Sequence, residues 1–267
     1  MPPSTPLNEF AVATAPGVEI RCYDTGGSGP AVVILHGLAG SAREFFPTAA
    51  ALPEFRTVLM DLRGHGGSTR HPGDLSRGAY VADVVHVIEE ALGHPVILVG
   101  QSMGAHTAML VAAARPDLVV RLVLVEADSG GGISQDHAAM EEYFCSWPVP
   151  FPSRQAALAF LGGAPLAEAW AADLEERADG FWPRFDAGVM VAAISAVAVP
   201  RWAEWASVTA PTLAVYGGNG MFPEASKDEF VRRGRDVTRV DLPGASHDAH
   251  LDAFDAWMAA LRGFVLA

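Results

Sequence analysis

Val96-Ile-Leu-Val-Gly-Gln-Ser-Met-Gly104 runs from an apolar segment into Gly100-Gln101-Ser102-Met103-Gly104 and on into Ala105 to Ala114. The aliphatic run reads as a buried strand and the stretch after it as a helix. A serine flanked as Gly-x-Ser-x-Gly between strand and helix sits on a turn too tight for side chains at its outer positions, and its hydroxyl stands clear of the backbone. That geometry suits a nucleophile.

Outward from this point the chain alternates strand and helix. Ala31–Leu35, Thr57–Met60 and Leu122–Val125 are further short apolar runs of the kind buried on both sheet faces. Val81, Val84, Val85, Ile88 and Leu92 fall at helical spacing, with Asp83, His86, Glu89 and Glu90 opposite, so that segment reads as a crossover helix. After Gly130-Gly-Gly132 the alternation stops. Trp147, Trp170, Trp182, Trp202 and Trp205, five of the six tryptophans, lie before Ser207. Alternation resumes with Thr212–Tyr216, a helix opened by Pro223, Thr238–Leu242 and a last helix to Val265. The expectation is an α/β fold with a mostly parallel central sheet and helices on both faces. Residues 1–130 and 208–267 form its core, and a helical cap insertion spans 131–207.

Composition narrows the function. Half of the 267 residues are hydrophobic, enough for one large core, and the net charge of −13 opposes binding to nucleic acid or an anionic membrane surface. No long apolar span or basic-then-apolar leader is visible, so a cytoplasmic protein, monomer or dimer, is expected. Cys22 and Cys145 lie outside any CxxC spacing. His65 with His71, or His247 with His250, lacks a third ligand at suitable spacing, and Gly26–Gly29 precedes no helix as a phosphate loop would. No metal or cofactor is expected, and a small hydrophobic acyl substrate fits better than a polyanion.

A serine hydroxyl needs a base near neutral pH. His247, in Pro243-Gly-Ala-Ser-His-Asp-Ala-His250, follows the last strand and so falls at the same carboxyl edge of the sheet as Ser102. His250 reads as a supporting or surface residue. The oxyanion needs two N–H donors, assigned to Leu38 in His36-Gly37-Leu38-Ala39-Gly40 and to Met103; losing one such donor typically costs about 3 kcal/mol of transition-state stabilisation. His36 reads as a brace for that loop. His106, four residues after Ser102, reads as core or surface. Phe45 and Phe46 are expected in a pocket wall, while Trp147, Phe151, Trp170, Phe181, Trp182 and Phe185 read mainly as a small cap core.

His36-Gly37, Asp61-Leu-Arg-Gly-His-Gly-Gly-Ser68, Gly100-Gln-Ser-Met-Gly104 and Pro243-Gly-Ala-Ser-His247, in this order, resemble the α/β-hydrolase superfamily over nearly the whole chain. The resemblance implies a serine hydrolase with a variable cap, and it gives Asp61, Arg63 and His65 a structural role only. In that family a carboxylate usually follows the strand matching Thr212–Tyr216. Here the turn reads Gly217-Gly-Asn-Gly-Met-Phe222, with no acid. Some members, such as haloalkane dehalogenases, supply it from the strand end matching Glu126, which makes Glu126 the first choice. Asp128, two residues further, shares the argument, Glu224 is explained by its helix N-terminus, and Asn219 could orient an imidazole without stabilising its charge. An enzyme without an acid is the remaining case.

The resemblance points to cleavage of a small ester, lactone or thioester. Carbon–carbon bond hydrolysis, perhydrolysis, or a catalytically idle ligand-binding protein on the same fold are the alternatives.

Overall fold

The computed structural model describes residues 7–131 and 134–267; Met1–Pro6, Gly132 of the glycine run and Ile133 lie outside them. The strands are β1 (Asn8–Ala15), β2 (Val18–Asp24), β3 (Ala31–Leu35), β4 (Arg56–Met60), β5 (Val96–Gln101), β6 (Val119–Val125), β7 (Glu175–Arg177), β8 (Gly180–Trp182), β9 (Thr212–Asn219) and β10 (Val237–Ser246). Between them run the helices α1 (Phe46–Ala50), α2 (Arg77–Val87), α3 (Met103–Ala114), α4 (Ser134–Cys145), α5 (Arg154–Leu161) and α6 (Pro165–Asp173). The chain continues through α7 (Ala187–Ser195), α8 (Trp202–Ser207), α9 (Glu224–Arg233), α10 (Ala249–Asp252) and α11 (Phe254–Val265).

Eight strands form one sheet in the order β1-β2-β4-β3-β5-β6-β9-β10. From β4 to β10 every neighbour is parallel, as the doubly buried apolar runs imply. β1 and β2 extend the sheet antiparallel at one edge, a pair that the sequence reading did not place. β1 is half exposed along its length and lacks the continuous apolar run that marks the central strands.

Continuous hydrophobicity becomes two layers through the period of two in a strand. In β3, Ala31, Val33 and Leu35 enter the core with Tyr80 and Val84 of α2 and Ala108 and Met109 of α3. Val32 and Ile34 enter the opposite layer, with Trp257 and Leu261 of α11. Truncating a ring as fully buried as Trp257 typically costs about 3–5 kcal/mol.

The crossover helix is present, with Val84 and Ile88 buried, and it ends in a π-helical turn at Ile88–Leu92. Asp83, read from the sequence as solvent-facing, is buried. Its carboxylate accepts from Arg63 Nε and Nη2, both at 2.6 Å, which offsets the desolvation of the charge.

Among the described residues, five helices and the β7–β8 hairpin lie between β6 and β9. Phe144, Trp147, Phe151, Leu174 and Met190 build a third hydrophobic cluster there, against which Trp170, Phe181 and Phe185 pack. Trp202 and Trp205 belong instead to a sheet-face core; the Trp205 ring stacks on Phe230 at 4.2 Å. Among the described residues, no helix is long and apolar enough to cross a membrane.

Candidate active site

β5 delivers Ser102 at the carboxyl edge of the sheet. The serine adopts φ 53° and ψ −117°, and α3 begins at the next residue. The turn closes because its flanks are glycine: a Cβ on Gly104 would overlap the carbonyl oxygens of Leu35 and His36, and one on Gly100 would overlap the Gly104 backbone. Among the described residues, only Ala39, Ser102 and Glu126 are non-glycine residues with positive φ. They fall in the loop after β3, at the serine of the strand-to-helix elbow and just after β6. Strain concentrated this way marks a preorganised site.

β10 leads into the loop that carries His247. Gln101, the residue before the serine, donates from Nε2 to the His247 carbonyl at 3.1 Å and so couples the elbow to this loop. The sequence reading assigned no part to Gln101; its place inside the Gly-x-Ser-x-Gly turn was the available signal. The His247 ring is 22% exposed and shares a cavity of about 360 Å³ with Ser102. No hydrogen bond joins Ser102 to His247 among the described residues, a looseness common in unliganded sites.

Glu126 is fully buried at the end of β6, with its Oε2 3.1 Å from His247 Nδ1. Oε1 also accepts from the Gly217 N–H at 2.7 Å, and Oε2 from the Met221 N–H at 2.9 Å. Burial pushes this carboxyl up, but the His247 and amide hydrogen bonds outweigh it and leave the pKa below the ordinary value. An ionised carboxylate only accepts, so His247 Nδ1 carries the proton and Nε2 presents a lone pair.

The acid-free turn has its explanation in the same contacts. Gly217–Met221 wraps around Glu126, and a Cβ on Gly220 would overlap the carboxylate. The turn lacks an acid of its own and uses main-chain amides to hold one from β6.

The other candidates fall elsewhere. Asp128 lines the cavity, and its Oδ1 accepts from the Gly130 N–H at 2.8 Å, without contact to His247. Glu224 is exposed on α9 and pairs with Lys227 and Arg239. Asn219 donates to the Gly244 carbonyl.

Met103 is the first residue of α3, so its N–H has no acceptor within the helix. Leu38 follows Gly37, on which a Cβ would stand 3.4 Å from the Ser102 Cβ, and no described residue accepts the Leu38 N–H. His36 braces this loop: its Nε2 accepts from the Leu62 N–H at 2.9 Å, leaving Nδ1–H to donate to the Gly37 carbonyl at 2.7 Å. Burial lowers its pKa to about 4. Asp61 accepts from the Ala42 and Gly67 amides, each at 2.8 Å, in keeping with a structural loop.

One expectation fails and another is extended. Phe45 and Phe46 pack into the core layer beside α11 rather than the cavity wall, and Phe45 stacks on the buried His250 at 4.2 Å. The cavity is faced instead by Met140, Ile194, Val197, Ala198, Met221 and Phe222. His106 is buried, as expected for core, yet it also lines the cavity.

The parallel sheet and the serine at its strand-to-helix elbow define a hydrolase fold. A family model described as the alpha/beta hydrolase family matches residues 32–260, and the chain belongs to that family. Mouse sn-1-specific diacylglycerol lipase ABHD11 is 31% identical over 88% of this chain and 81% of its own length. The 2-(acetamidomethylene)succinate hydrolase of Mesorhizobium japonicum is 29% identical over 90% of this chain and 89% of its own. A crystal structure of E-2-(acetamidomethylene)succinate hydrolase superimposes with a TM-score of 0.89 at 24% identity, covering 98% of this chain and 100% of that one.

Proposed function

We propose that the protein is a serine hydrolase that opens a small hydrophobic carboxylic ester, lactone or thioester through an acyl-enzyme on Ser102. The contact of Glu126 with His247, in the cavity that also receives Ser102, carries this reading. Ser102 Oγ attacks the carbonyl carbon while His247 Nε2 takes its proton. The oxyanion forms against the Leu38 and Met103 amides, and His247 returns the proton to the departing oxygen or sulfur. Water, deprotonated by the same nitrogen, then releases the acid and restores the serine. Glu126 keeps the imidazole in the productive tautomer and stabilises its charged form.

The cavity wall supports the substrate class. It is predominantly apolar, with no Lys or Arg among its described lining residues, and Glu126 and Asp128 both border it. A succinate derivative, the substrate named for one of the relatives, carries carboxylates that this wall offers no cation to receive. A neutral acyl group, as in the diacylglycerol named for another, is the better fit.

The test is labelling with a fluorophosphonate probe combined with hydrolysis of short p-nitrophenyl esters. Stoichiometric modification at Ser102, lost together with turnover in Ser102→Ala, is the expected result. Full ester turnover by Ser102→Ala would remove the serine from the chemistry.

A further inference from the structure

We propose that His106 and Asp128 form a polar subsite in the otherwise apolar cavity, one that binds a hydroxyl or amino group carried on the acyl chain of the substrate. The proposal rests on the serine-hydrolase reading for the word acyl; the polar subsite itself stands on the geometry alone.

His106 lies one turn along α3 from Ser102, its N–H bonded to the Ser102 carbonyl at 3.0 Å, which places it about 6 Å further along the helix axis. It is 3% exposed and lines the cavity; the Ser129 carbonyl lies close enough to oppose the lowering of its pKa, but neither ring nitrogen makes a hydrogen bond of good geometry among the described residues. A buried imidazole left this way forfeits the hydrogen bonds it makes in water, so it is a site waiting for a polar atom. Burial, reinforced by the positive charges of Arg77 and Arg201, lowers its pKa to about 3. The ring is therefore neutral, with one nitrogen donating and the other accepting.

Asp128 borders the same cavity. Its Oδ1 accepts the Gly130 N–H, while Oδ2 takes no hydrogen bond from a described residue. Gly130 joins the two groups, since a Cβ there would stand 2.9 Å from His106 Nε2. The pair thus offers two acceptors and one donor, with a carboxylate among them. A hydroxyl satisfies both acceptor and donor, and an amine adds charge attraction to Asp128. A carboxylate on the chain would meet Asp128 as a like charge.

The position also sets the direction of binding. His106 extends from the helix that follows Ser102 and Asp128 from the segment after β6 that also carries Glu126, so the subsite lies beside the reacting carbonyl rather than on the outer rim. A chain whose polar group is several bonds from the carbonyl reaches it.

The experiment compares p-nitrophenyl hexanoate, its 6-hydroxy and 6-amino derivatives, and the mono-p-nitrophenyl ester of adipate, on the wild type, His106→Leu and Asp128→Asn. In parallel, 6-hydroxyhexanamide and hexanamide are titrated into Ser102→Ala, alone and combined with each substitution. The wild type is expected to favour the hydroxy ester over the plain one by about tenfold in kcat/KM and to disfavour the adipate ester, with the same preference for the hydroxyamide in binding. Both ratios should fall towards one in the two variants. Should His106→Leu fail to fold, Asp128→Asn still reads the subsite. Turnover without hydroxyl preference, together with equal amide binding, overturns the subsite and leaves the hydrolase reading intact. No turnover of any ester, with the amide preference retained, upholds the subsite and overturns the hydrolase reading.

Discussion

Glu126 Oε2 lies 3.1 Å from His247 Nδ1, a contact between residues 121 positions apart that joins the end of β6 to the loop after β10. The same carboxylate is held by two main-chain amides, of Gly217 near the end of β9 and of Met221 just after it. Three segments of chain therefore converge on one carboxylate.

Replacing that carboxylate tests its role. Glu126→Gln places an amide nitrogen opposite a main-chain N–H or the imidazole N–H, and kcat on an ester is expected to fall about 10³–10⁴-fold with the far-ultraviolet spectrum unchanged. Glu224→Gln, on the exposed face of α9, should stay within about twofold. Equal rates for wild type and Glu126→Gln would exclude it from the mechanism.

The cradle can be disturbed without touching the acid. Gly220→Ala introduces a methyl group that overlaps the Glu126 carboxylate, so acid or turn must shift. The expected signature is a loss of kcat of about 10²-fold or more, because misplacement by an ångström is enough. A variant as active as the wild type would show that the turn yields freely.

Gly263, inside α11, provides the opposite case. A Cβ there meets no atom within 4 Å. Gly263→Ala should raise stability by about 0.5–1 kcal/mol through lower backbone entropy in the unfolded chain, read as a higher denaturation midpoint at constant activity. A lower midpoint would contradict the open surroundings of this position.

The buried histidines fix the sign of the pH response. Burial lowers His36 and His250 to about 4 and His65 to about 3. Each contributes stability that is present above its ordinary value near 6.5 and is lost as pH falls towards its folded value. Glu44, raised to about 8 by burial, works in reverse: its contribution is full below its ordinary value of 4.5 and is lost as pH rises through 8. Between pH 6.5 and 4.5 four imidazoles, His106 (lowered to about 3) included, oppose Glu44 and Asp173, whose carboxyl burial raises to about 6, and each shifted group changes stability by at most about 1.4 kcal/mol per pH unit. The urea midpoint should therefore fall over this range, more steeply in Glu44→Gln. A midpoint that rises on acidification would refute this balance.

The central sheet was legible because its strands are short apolar runs between turn residues, and the family motifs gave the elbow and the loop of His247. The β1–β2 pair was not, since an edge strand with one wet face carries a weak pattern. Asp83 misled because a polar residue at a helical position looks solvated until Arg63 is folded against it. The sequence alone left Glu126, Asp128 and Glu224 as competitors: which carboxylate meets an imidazole depends on where the strand ends lie, and local patterning does not encode that. The cavity wall was misplaced for a similar reason, since Phe45 and Phe46 closely follow the Gly37–Gly40 loop in the chain but turn into the core. His106 shows the limit of periodicity, which identifies a face but not whether that face meets packed atoms or open space.

The turn from Gly217 to Phe222 divides its labour between main chain and side chains. Its amides grip a borrowed acid, while Met221 and Phe222 project into the cavity. Released from carrying the acid itself, this stretch becomes a mould whose contour can be recut for a new substrate without moving the proton-handling atoms. A library confined to these two positions would sample selectivity on a fixed chemical engine.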